Sequence, residues 1–388
     1  MPDLSWSTLN RRISQPGSDV WRVHYDAVAR LAAGEDVILL SVGDPDFDTP
    51  GYISQHVIEC INAGRTHYSP VAGEDNLREA VAELERTATG RDIGPEHVVV
   101  FPGATATLYA VLATILDAGD GIVVPEPMYI GYHGMLSAVG ADVQPVPLAP
   151  PTFLLDVDAV MAAVQPNTRA VLVNTPGNPL GNIIPAETLR DLAAACAARS
   201  LWLICDEVYS LITFEAPHVS LLKCAETFRN VVVVDGLSKS HAMSGWRVGW
   251  AVAERPMAEA LGRFSSAALF GTCQFVQDAA AFALANDAED VERMREAYEA
   301  RRDFVLQRVT EHPLLDAFRP QGGMFVMIDG GRICQSGDDF CRTLLEECGV
   351  STLPGSGFGP SASRYVRLSL TENEETLGRA FDRIEKLS

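Results

Sequence analysis

The sequence lacks the features that are typical of proteins that bind nucleic acids or membranes. Its 30 lysines and arginines are outnumbered by 51 aspartates and glutamates, giving a formal net charge of -21. This charge argues against a partner with a phosphate backbone and against an anionic membrane surface. No apolar run approaches the length that spans a bilayer, and no basic segment followed by an apolar one opens the chain. We therefore expect a cytoplasmic protein that binds neither nucleic acid nor membrane.

The sequence also lacks the cysteine and histidine spacings of metal sites. Eight cysteines occur, but none form a C-x-x-C pair, and no histidines cluster at ligand spacing. Several lie in apolar stretches, as Cys205 does in 201–205. The pattern predicts reduced, buried cysteines and no metal ion.

No internal repeat or low-complexity linker interrupts the chain, whose 388 residues exceed one hydrophobic core and predict two lobes. From residue 97 onward predicted strands alternate with helices, which indicates a mostly parallel sheet with right-handed crossovers. The predicted strands are 97–101, 122–124, 141–148, 169–173, 201–205, 231–234 and 246–253, and the helices among them are 108–116 and 188–198.

The two ends of the chain have a different pattern. A helix at 20–33 and a strand at 37–42 are predicted before the alternation, with further helices at 53–63 and 77–87. After residue 287 a long helix at 291–310 is followed by short strands at 324–328 and 365–370. We predict a large domain at 46–287 and a smaller α+β domain made of 1–45 and 288–388.

The segment S-K-S-H-A-M-S-G-W-R-V-G at 238–249 follows the apolar run 231–234. That run predicts a buried strand that places Lys239 at its carboxyl end, where open α/β sheets carry their chemistry. A lysine forms a Schiff base with an aldehyde when burial or a neighbouring cation lowers its pKa. Arg247 is a candidate for that cation and for a phosphate ligand. Taken alone, the pattern favours a solvated surface lysine, because a lysine after a strand is usually exposed.

Polar or aromatic candidates follow other predicted strands as well. Each has an ordinary alternative, such as a capped helix for Ala104 and Thr105 or simple packing for Tyr129. Asp206 at a strand end requires a cationic or N–H partner, because a buried carboxylate is otherwise costly. The candidates that follow successive strands are Ala104, Thr105, Tyr129, Asn178, Asp206, Tyr209, Lys239 and Arg247. Together they describe a ligand with a phosphate, a planar ring, a protonated ring nitrogen, a phenolate oxygen and an aldehyde, which is pyridoxal 5'-phosphate.

Four motifs carry a resemblance to a known family. These are N-T-P-G-N-P-L-G at 174–181, D-E-V-Y at 206–209, the 238–249 segment and Y-V-R-L-S at 365–369. They resemble fold-type I, class I aminotransferases over nearly the whole chain. The resemblance implies a three-layer α/β/α large domain, a smaller α+β domain and a homodimer with shared active sites.

Further motifs narrow the resemblance. S-V-G-D-P-D-F-D-T-P at 41–50, R-E-A-Y-E-A-R-R-D at 295–303 and G-G-M-F-V-M at 322–327 are similar to arginine–pyruvate aminotransferases and relatives that act on guanidino amino acids. The implied reaction transfers an amino group from such a donor to a 2-oxo acid such as pyruvate.

The resemblance implies a role for each residue around the cofactor ring. Lys239 would form the Schiff base and move the proton from the substrate α-carbon. Asp206 would pair with the pyridine nitrogen and keep it protonated. Asn178 and Tyr209 would hydrogen-bond the ring oxygen, and Tyr129 would stack on the ring.

It likewise implies the anion-binding residues. Arg367 would bind the substrate α-carboxylate as a bidentate fork, supported by the Gly43 backbone and by Asn178. Tyr68 would reach the phosphate from a partner subunit. The remaining phosphate ligands would be Ala104, Thr105, Ser238 and Arg247.

One position departs from the family, and three other interpretations stay open. Many members carry a serine three residues before the lysine, where this chain has Gly236, so we expect a lost phosphate contact and weaker cofactor affinity.

The donor is alternatively aspartate or an aromatic amino acid, and a β-lyase on the same fold is the alternative enzyme. A non-catalytic sensor is disfavoured because no basic DNA-binding segment precedes residue 40. The G-S-G-F-G stretch at 355–359 is expected to be a loop rather than a dinucleotide site.

Overall fold

The structure, a computed structural model, describes residues 5–13, 18–286 and 288–387. Its strands are β1 (Ile38–Leu39), β2 (Val98–Phe101), β3 (Gly121–Glu126), β4 (Asp142–Pro147), β5 (Thr168–Asn174), β6 (Trp202–Asp206), β7 (Val231–Gly236), β8 (Gly249–Ala253), β9 (Asp316–Phe318), β10 (Phe325–Asp329), β11 (Val350–Ser351), β12 (Leu353–Pro354) and β13 (Tyr365–Ser369).

Helices surround these strands. They are α1 (Thr8–Ile13), α2 (Arg22–Ala32), α3 (Gly51–Asn62), α4 (Asp75–Thr89), α5 (Ala104–Ile115), α6 (Ile130–Val139), α7 (Val157–Ala162), α8 (Ala186–Ala198), α9 (Leu221–Cys224), α10 (Arg255–Ala268), α11 (Gln274–Asn286), α12 (Ala288–Glu311), α13 (Gly337–Cys348) and α14 (Glu374–Ile384).

The main sheet has seven strands in the order β2-β8-β7-β6-β5-β3-β4. Its pairings are parallel, except that β8 runs antiparallel to both β2 and β7. The core strands are continuous apolar runs because helices cover both faces of the sheet. Along β7, for example, Val231 and Val233 face one hydrophobic core while Val232 and Val234 face the other.

The two faces of this sheet are covered by different helices. Helices α3, α4, α8 and α11 contribute to one core, and α5, α6 and α10 contribute to the other. This is a three-layer α/β/α arrangement, so the predicted fold class and mostly parallel sheet are confirmed.

A third core lies around the four-stranded antiparallel sheet β12-β13-β10-β9. Helices α12, α13 and α14 pack on it, as the α+β prediction requires. The short strand β1 pairs in parallel with β11 and so joins the amino-terminal segment to this part of the molecule. The domain boundary at residue 287 lies outside the described residues, and the division of the chain at 46–287 stays a prediction.

Several predicted boundaries were wrong. Helix α5 begins at Ala104, not at residue 108, because Gly103 turns the chain with a φ of +93° and the small residues form the first helical turn. The strand predicted at 37–42 is only Ile38–Leu39. The strand predicted at 246–253 starts at Gly249, after a 3-10 turn at Ser244–Trp246 and Arg247 in the left-handed region. The expected loop at 355–359 contains a 3-10 turn, Gly355–Phe358.

The eight cysteines are all free, and six of them are buried. Cys273 contradicts the expectation, because it is exposed in the connection before α11, and Cys334 is only partly buried.

A pair of glycines sets the spacing between β7 and β8. Gly236 pairs with Gly249 across the two strands. A Cβ atom at Gly236 would lie 2.8 Å from the Val248 carbonyl oxygen, and one at Gly249 would lie 2.5 Å from the Ala104 backbone nitrogen. The absence of both side chains therefore lets β8 and the start of α5 pack directly against the strand that leads to Lys239.

We expect Gly236→Ser to destabilise the protein by about 1–3 kcal/mol, because the added side chain forces the β8 backbone to move. The midpoint of urea unfolding measures this effect. Gly262→Ala is the matched control, since a Cβ there meets no atom within 4 Å and the site lies inside α10. The control should gain up to about 1 kcal/mol. An unchanged midpoint for Gly236→Ser would show that β8 tolerates a side chain at this position.

Candidate active site

A cavity of about 220 Å³ opens at the carboxyl ends of the central strands. It brings together every site residue that the sequence predicted except Tyr68. The lining residues among the predicted set are Gly43, Ala104, Thr105, Tyr129, Asn178, Asp206, Tyr209, Ser238, Lys239, Arg247 and Arg367. This edge of a parallel sheet is where ligands bind in open α/β folds.

Lys239 follows β7, and its amine is mostly buried in this cavity. The Nζ atom donates a hydrogen bond to the Gly43 carbonyl oxygen at 2.8 Å. The pKa of Lys239 is lowered to about 8, chiefly by burial; the charge of Asp44 opposes this shift, and the charges of Arg367 and Arg247 add to it. The predicted effect of Arg247 is thus present, but burial of the amine is the larger cause.

Asp206 ends β6 with its carboxyl group fully inside the protein. Its Oδ2 accepts a hydrogen bond from the Tyr132 hydroxyl at 2.7 Å, and its Oδ1 accepts one from the Val208 N–H at 3.4 Å. Burial raises the pKa of Asp206 to about 6, and both hydrogen bonds oppose that rise. The partner that the sequence required is therefore a phenol together with an N–H group.

Tyr132 was missed by the sequence analysis. It lies on α6, three residues after Tyr129, and the two rings meet edge to face at 5.4 Å between centroids. The spacing of the two tyrosines was visible in the sequence, but 130–139 is apolar nearly throughout and was not predicted as a helix. The hydroxyl partner of Asp206 thus comes from helix α6, which the sequence pattern did not predict.

An anion-binding end of the cavity forms where α5 begins. No side chain caps this helix, so its first N–H groups have no side-chain partner, and Ala104 and Thr105 of this first turn line the cavity. Arg247 lies beside them, and its Nη1 donates to the Ser244 carbonyl oxygen at 2.7 Å. A Cβ at Gly103 would collide with the Arg247 guanidinium, so this glycine keeps the space for the arginine.

Tyr209 and Asn178 also line the cavity and contact each other. The Asn178 side chain donates to the Tyr209 hydroxyl at 3.3 Å. Burial raises the pKa of the Tyr209 phenol, although Arg367 and the Asn178 hydrogen bond oppose the rise. Asn174, which the sequence analysis did not single out, holds the loop in place by accepting the Asn178 backbone N–H at 2.7 Å.

Arg367 projects from β13 and is buried. Its Nη1 donates to the Asn178 Oδ1 and its Nη2 to the Ser41 carbonyl oxygen, each at 2.9 Å. Its Nε is buried with no hydrogen-bond partner among the described residues. The guanidinium centre lies 3.9 Å from the centroid of the Phe325 ring, and burial lowers the pKa of Arg367 to about 10.

Tyr68 lies apart from the cavity. It is 81% exposed and packs edge-on against Phe270 at 5.0 Å between ring centroids. Its expected contact with phosphate involves a second subunit and stays a prediction.

The carboxylates of the acidic loop after Gly43 have different surroundings. Asp46 binds Arg301 in a two-pronged ion pair at 2.7 and 2.8 Å. Asp44 is exposed and acts on Lys239 through its charge. A Cβ at Gly43 would collide with the Phe325 ring, so the loop needs glycine at this position.

The polar groups that line this cavity fit pyridoxal phosphate. The uncapped helix and Arg247 suit a phosphate, the buried Asp206 suits a protonated ring nitrogen, and the Lys239 amine suits an aldehyde. The buried, unpartnered Nε of Arg367 calls for a further anionic group, because an unsatisfied charged donor is costly. In the described part of the chain no cluster of acidic, histidine or cysteine side chains has a metal-binding arrangement. The helices described there include none long and apolar enough to cross a bilayer.

Fold and cavity together define an α/β enzyme that presents a buried lysine beside anion-binding groups. The family model for aminotransferases of class I and II matches residues 35–384. The chain therefore belongs to this family, and the predicted family and enzyme class are confirmed.

Individual relatives are similar over nearly the whole chain. The arginine–pyruvate transaminase AruH of Pseudomonas aeruginosa is 43% identical, covering 98% of this chain and 97% of its own. An aspartate aminotransferase of Geobacillus stearothermophilus is 34% identical and covers 92% of each chain. The solved structure of Thermus thermophilus aspartate aminotransferase with maleate has a TM-score of 0.92 at 33% identity and covers both chains completely.

We expect an aldehyde to react with Lys239 with a midpoint near pH 8 rather than 10.5, because only the neutral amine attacks. Borohydride trapping on cofactor-free protein, with peptide mapping, measures this profile. Asp44→Asn should move the midpoint to lower pH, since the charge of Asp44 raises the pKa of Lys239. Asp48→Asn, an exposed change on the same loop, should leave it in place. A midpoint near 10.5 would mean that the amine is not buried in solution.

Proposed function

We propose that this aminotransferase uses pyridoxal 5'-phosphate to transfer the amino group of arginine, or of another guanidino amino acid, to a 2-oxo acid such as pyruvate. One observation carries the cofactor assignment: Lys239, Asp206, Arg247 and Arg367 all line a single cavity, and each is suited to a different part of the cofactor or substrate. When bound, pyridoxal phosphate supplies an aldehyde for the donor nitrogen and a ring that accepts electrons from the α-carbon.

The proposal assigns the holding of the cofactor to three groups of residues. Ala104, Thr105, Ser238 and Arg247 would bind the phosphate. Asn178 and Tyr209 would hydrogen-bond the ring oxygen, and Tyr129 would cover the ring face. Asp206 would hold the ring nitrogen: with a pKa of about 6 it is mostly ionised at neutral pH, and the Tyr132 hydroxyl stabilises that ionised form.

Two further residues would act on the substrate. Arg367 has five N–H donors, of which the Asn178 and Ser41 bonds use two. Its remaining donors, including the free Nε, would bind the α-carboxylate. Lys239 would carry the proton of the α-carbon, a task that suits an amine whose pKa lies near 8.

The distribution of positive charge supports a donor without a distal carboxylate. Among the described residues that line the cavity, the basic side chains are Lys239, Arg247 and Arg367. Each already has an assigned task, so none is left to bind the side-chain carboxylate of aspartate. The 43% identity to an arginine–pyruvate transaminase points in the same direction. A β-lyase would use the same groups on the same ring, so the two reactions must be separated by experiment.

Adding arginine without an acceptor should convert the absorbance of the cofactor from its aldehyde form to its amine form. Pyruvate should then restore the first spectrum, because the enzyme returns the amino group to a 2-oxo acid. Lys239→Ala should lower the rate of both absorbance changes by at least about 10³-fold, since it removes the proton-transferring amine.

Other donors test the rival readings under the same conditions. A much faster reaction with aspartate or with aromatic donors than with arginine would overturn the guanidino assignment. Release of ammonia and pyruvate from cystathionine would indicate a lyase. A protein that gives no cofactor absorbance, even with added pyridoxal phosphate, would refute the cofactor assignment.

We also propose that two chains form a homodimer in which Tyr68 of each completes the phosphate site of the other. The exposed Tyr68 and Phe270 rings, 81% and 57% exposed, support this arrangement because an apolar pair on the surface favours a protein contact. Sedimentation should give twice the mass of one chain. Tyr68→Phe should weaken cofactor binding, whereas Tyr25→Phe, at another exposed tyrosine, should not. A monomer with normal cofactor affinity would contradict the proposal.

A further inference from the structure

Trp21 lines the same cavity as Lys239 and Arg367, but neither the cofactor nor the α-carboxylate needs it. It ends the short 3-10 turn Ser18–Trp21 and precedes helix α2, so it comes from the amino-terminal segment rather than from the main sheet. The indole is partly buried. We infer that Trp21 is the specificity-determining residue, and that its indole ring binds the cationic end of a guanidino donor. This inference rests on the proposed function.

The position of Trp21 is linked to that of Arg367 through two intermediate residues. The Trp21 ring packs edge to face on the His24 ring, with centroids 5.8 Å apart at 79°. His24 Nδ1 is hydrogen-bonded to the Ser41 hydroxyl at 2.8 Å, and the Ser41 carbonyl oxygen accepts the Nη2 of Arg367. The aromatic ring and the carboxylate anchor are thus held in one connected structure on the cavity wall.

An amino acid bound through its α-carboxylate to Arg367 must place its side chain away from that anchor. A guanidinium is planar, weakly hydrated and stacks on aromatic faces, and indole gives the strongest such contact among the aromatic side chains. The site already contains one example of this chemistry, because Arg367 itself lies over the Phe325 ring. A partly buried tryptophan in the cavity wall therefore suits a long donor that ends in a delocalised cation.

The carboxylates near the cavity are less suited to this task. Asp46 is neutralised by its two-pronged pair with Arg301. Asp44 does not line the cavity, and its charge acts on Lys239. Selection of a cation at this position consequently depends on the aromatic face.

Citrulline provides the test of this inference, because it has the shape of arginine without its charge. The holoenzyme is titrated with each amino acid, and conversion of the cofactor absorbance gives the half-saturating concentration and the rate. The wild-type enzyme should prefer arginine. Trp21→Leu should lose about fivefold to tenfold in rate over half-saturation for arginine and little for citrulline, the size of a partly desolvated cation–π contact. Trp21→Phe should retain part of the preference.

Tyr25→Leu is the matched control, since Tyr25 is 66% exposed on α2 and also contacts His24. It should leave the ratio of arginine to citrulline unchanged. The cofactor spectrum and melting temperature of each variant report whether it has folded.

Three results would overturn the inference. Equal losses for arginine and citrulline in Trp21→Leu would assign the ring to plain packing, and no loss for either donor would assign the selectivity elsewhere. A wild-type enzyme that converts both donors equally would refute selection of the cation while leaving the aminotransferase reaction intact. If no amino acid converts the cofactor, the proposed function itself fails, and the inference fails with it.

Discussion

The burial of charged groups at one edge of the sheet is the constraint on which the site depends. Lys239, Asp206 and Arg367 line one cavity, and burial is the first cause of the pKa shift of each. It lowers the pKa of Lys239 and Arg367 and raises that of Asp206, so in each case it favours the uncharged form. Such groups are costly without partners, and the partners inside the protein are few: a carbonyl for Lys239, a phenol and an N–H for Asp206, and an amide oxygen and a carbonyl for Arg367. The unpartnered Nε of Arg367 and the uncapped start of α5 are suited to a negatively charged ligand.

This burial affects stability in a definite direction. The folded pKa of Asp206, about 6, lies above the ordinary value of 3.8, so the folded state loses stability as the pH rises from about 4 to about 6. The folded pKa of Lys239, about 8, lies below 10.5, so stability is lost as the pH falls from about 10.5 to about 8. Between about pH 6 and pH 8 both groups are charged, and both penalties act on the protein without its ligand. A ligand that pairs with both groups relieves them together, which links function to stability at neutral pH.

The sequence allowed prediction of the parts of the site that follow from local pattern. Lys239 after a β-branched run, Asp206 at a strand end and Arg367 within a short strand were all recognisable, and the structure brings them to one cavity. Tyr132, Ser41 and Trp21 were not singled out, because their importance arises from contacts with residues more than seventy positions away or from shared cavity walls. Helix α6 shows the same limit: it is apolar nearly all round, so no periodic pattern distinguishes it from a buried strand.

Two glycines determine how closely the backbone segments pack at the anion-binding end of the cavity. A side chain at Gly236 would meet the Val248 carbonyl oxygen and the backbone of β8, and one at Gly103 would meet the Arg247 guanidinium. The close approach of β7, β8 and α5 therefore leaves no room for an added hydroxyl at residue 236. The cation-selecting wall proposed at Trp21 comes from a different segment of the chain. Because Trp21 and the start of α5 belong to separate elements, the proposed donor preference can change without moving the proposed phosphate ligands.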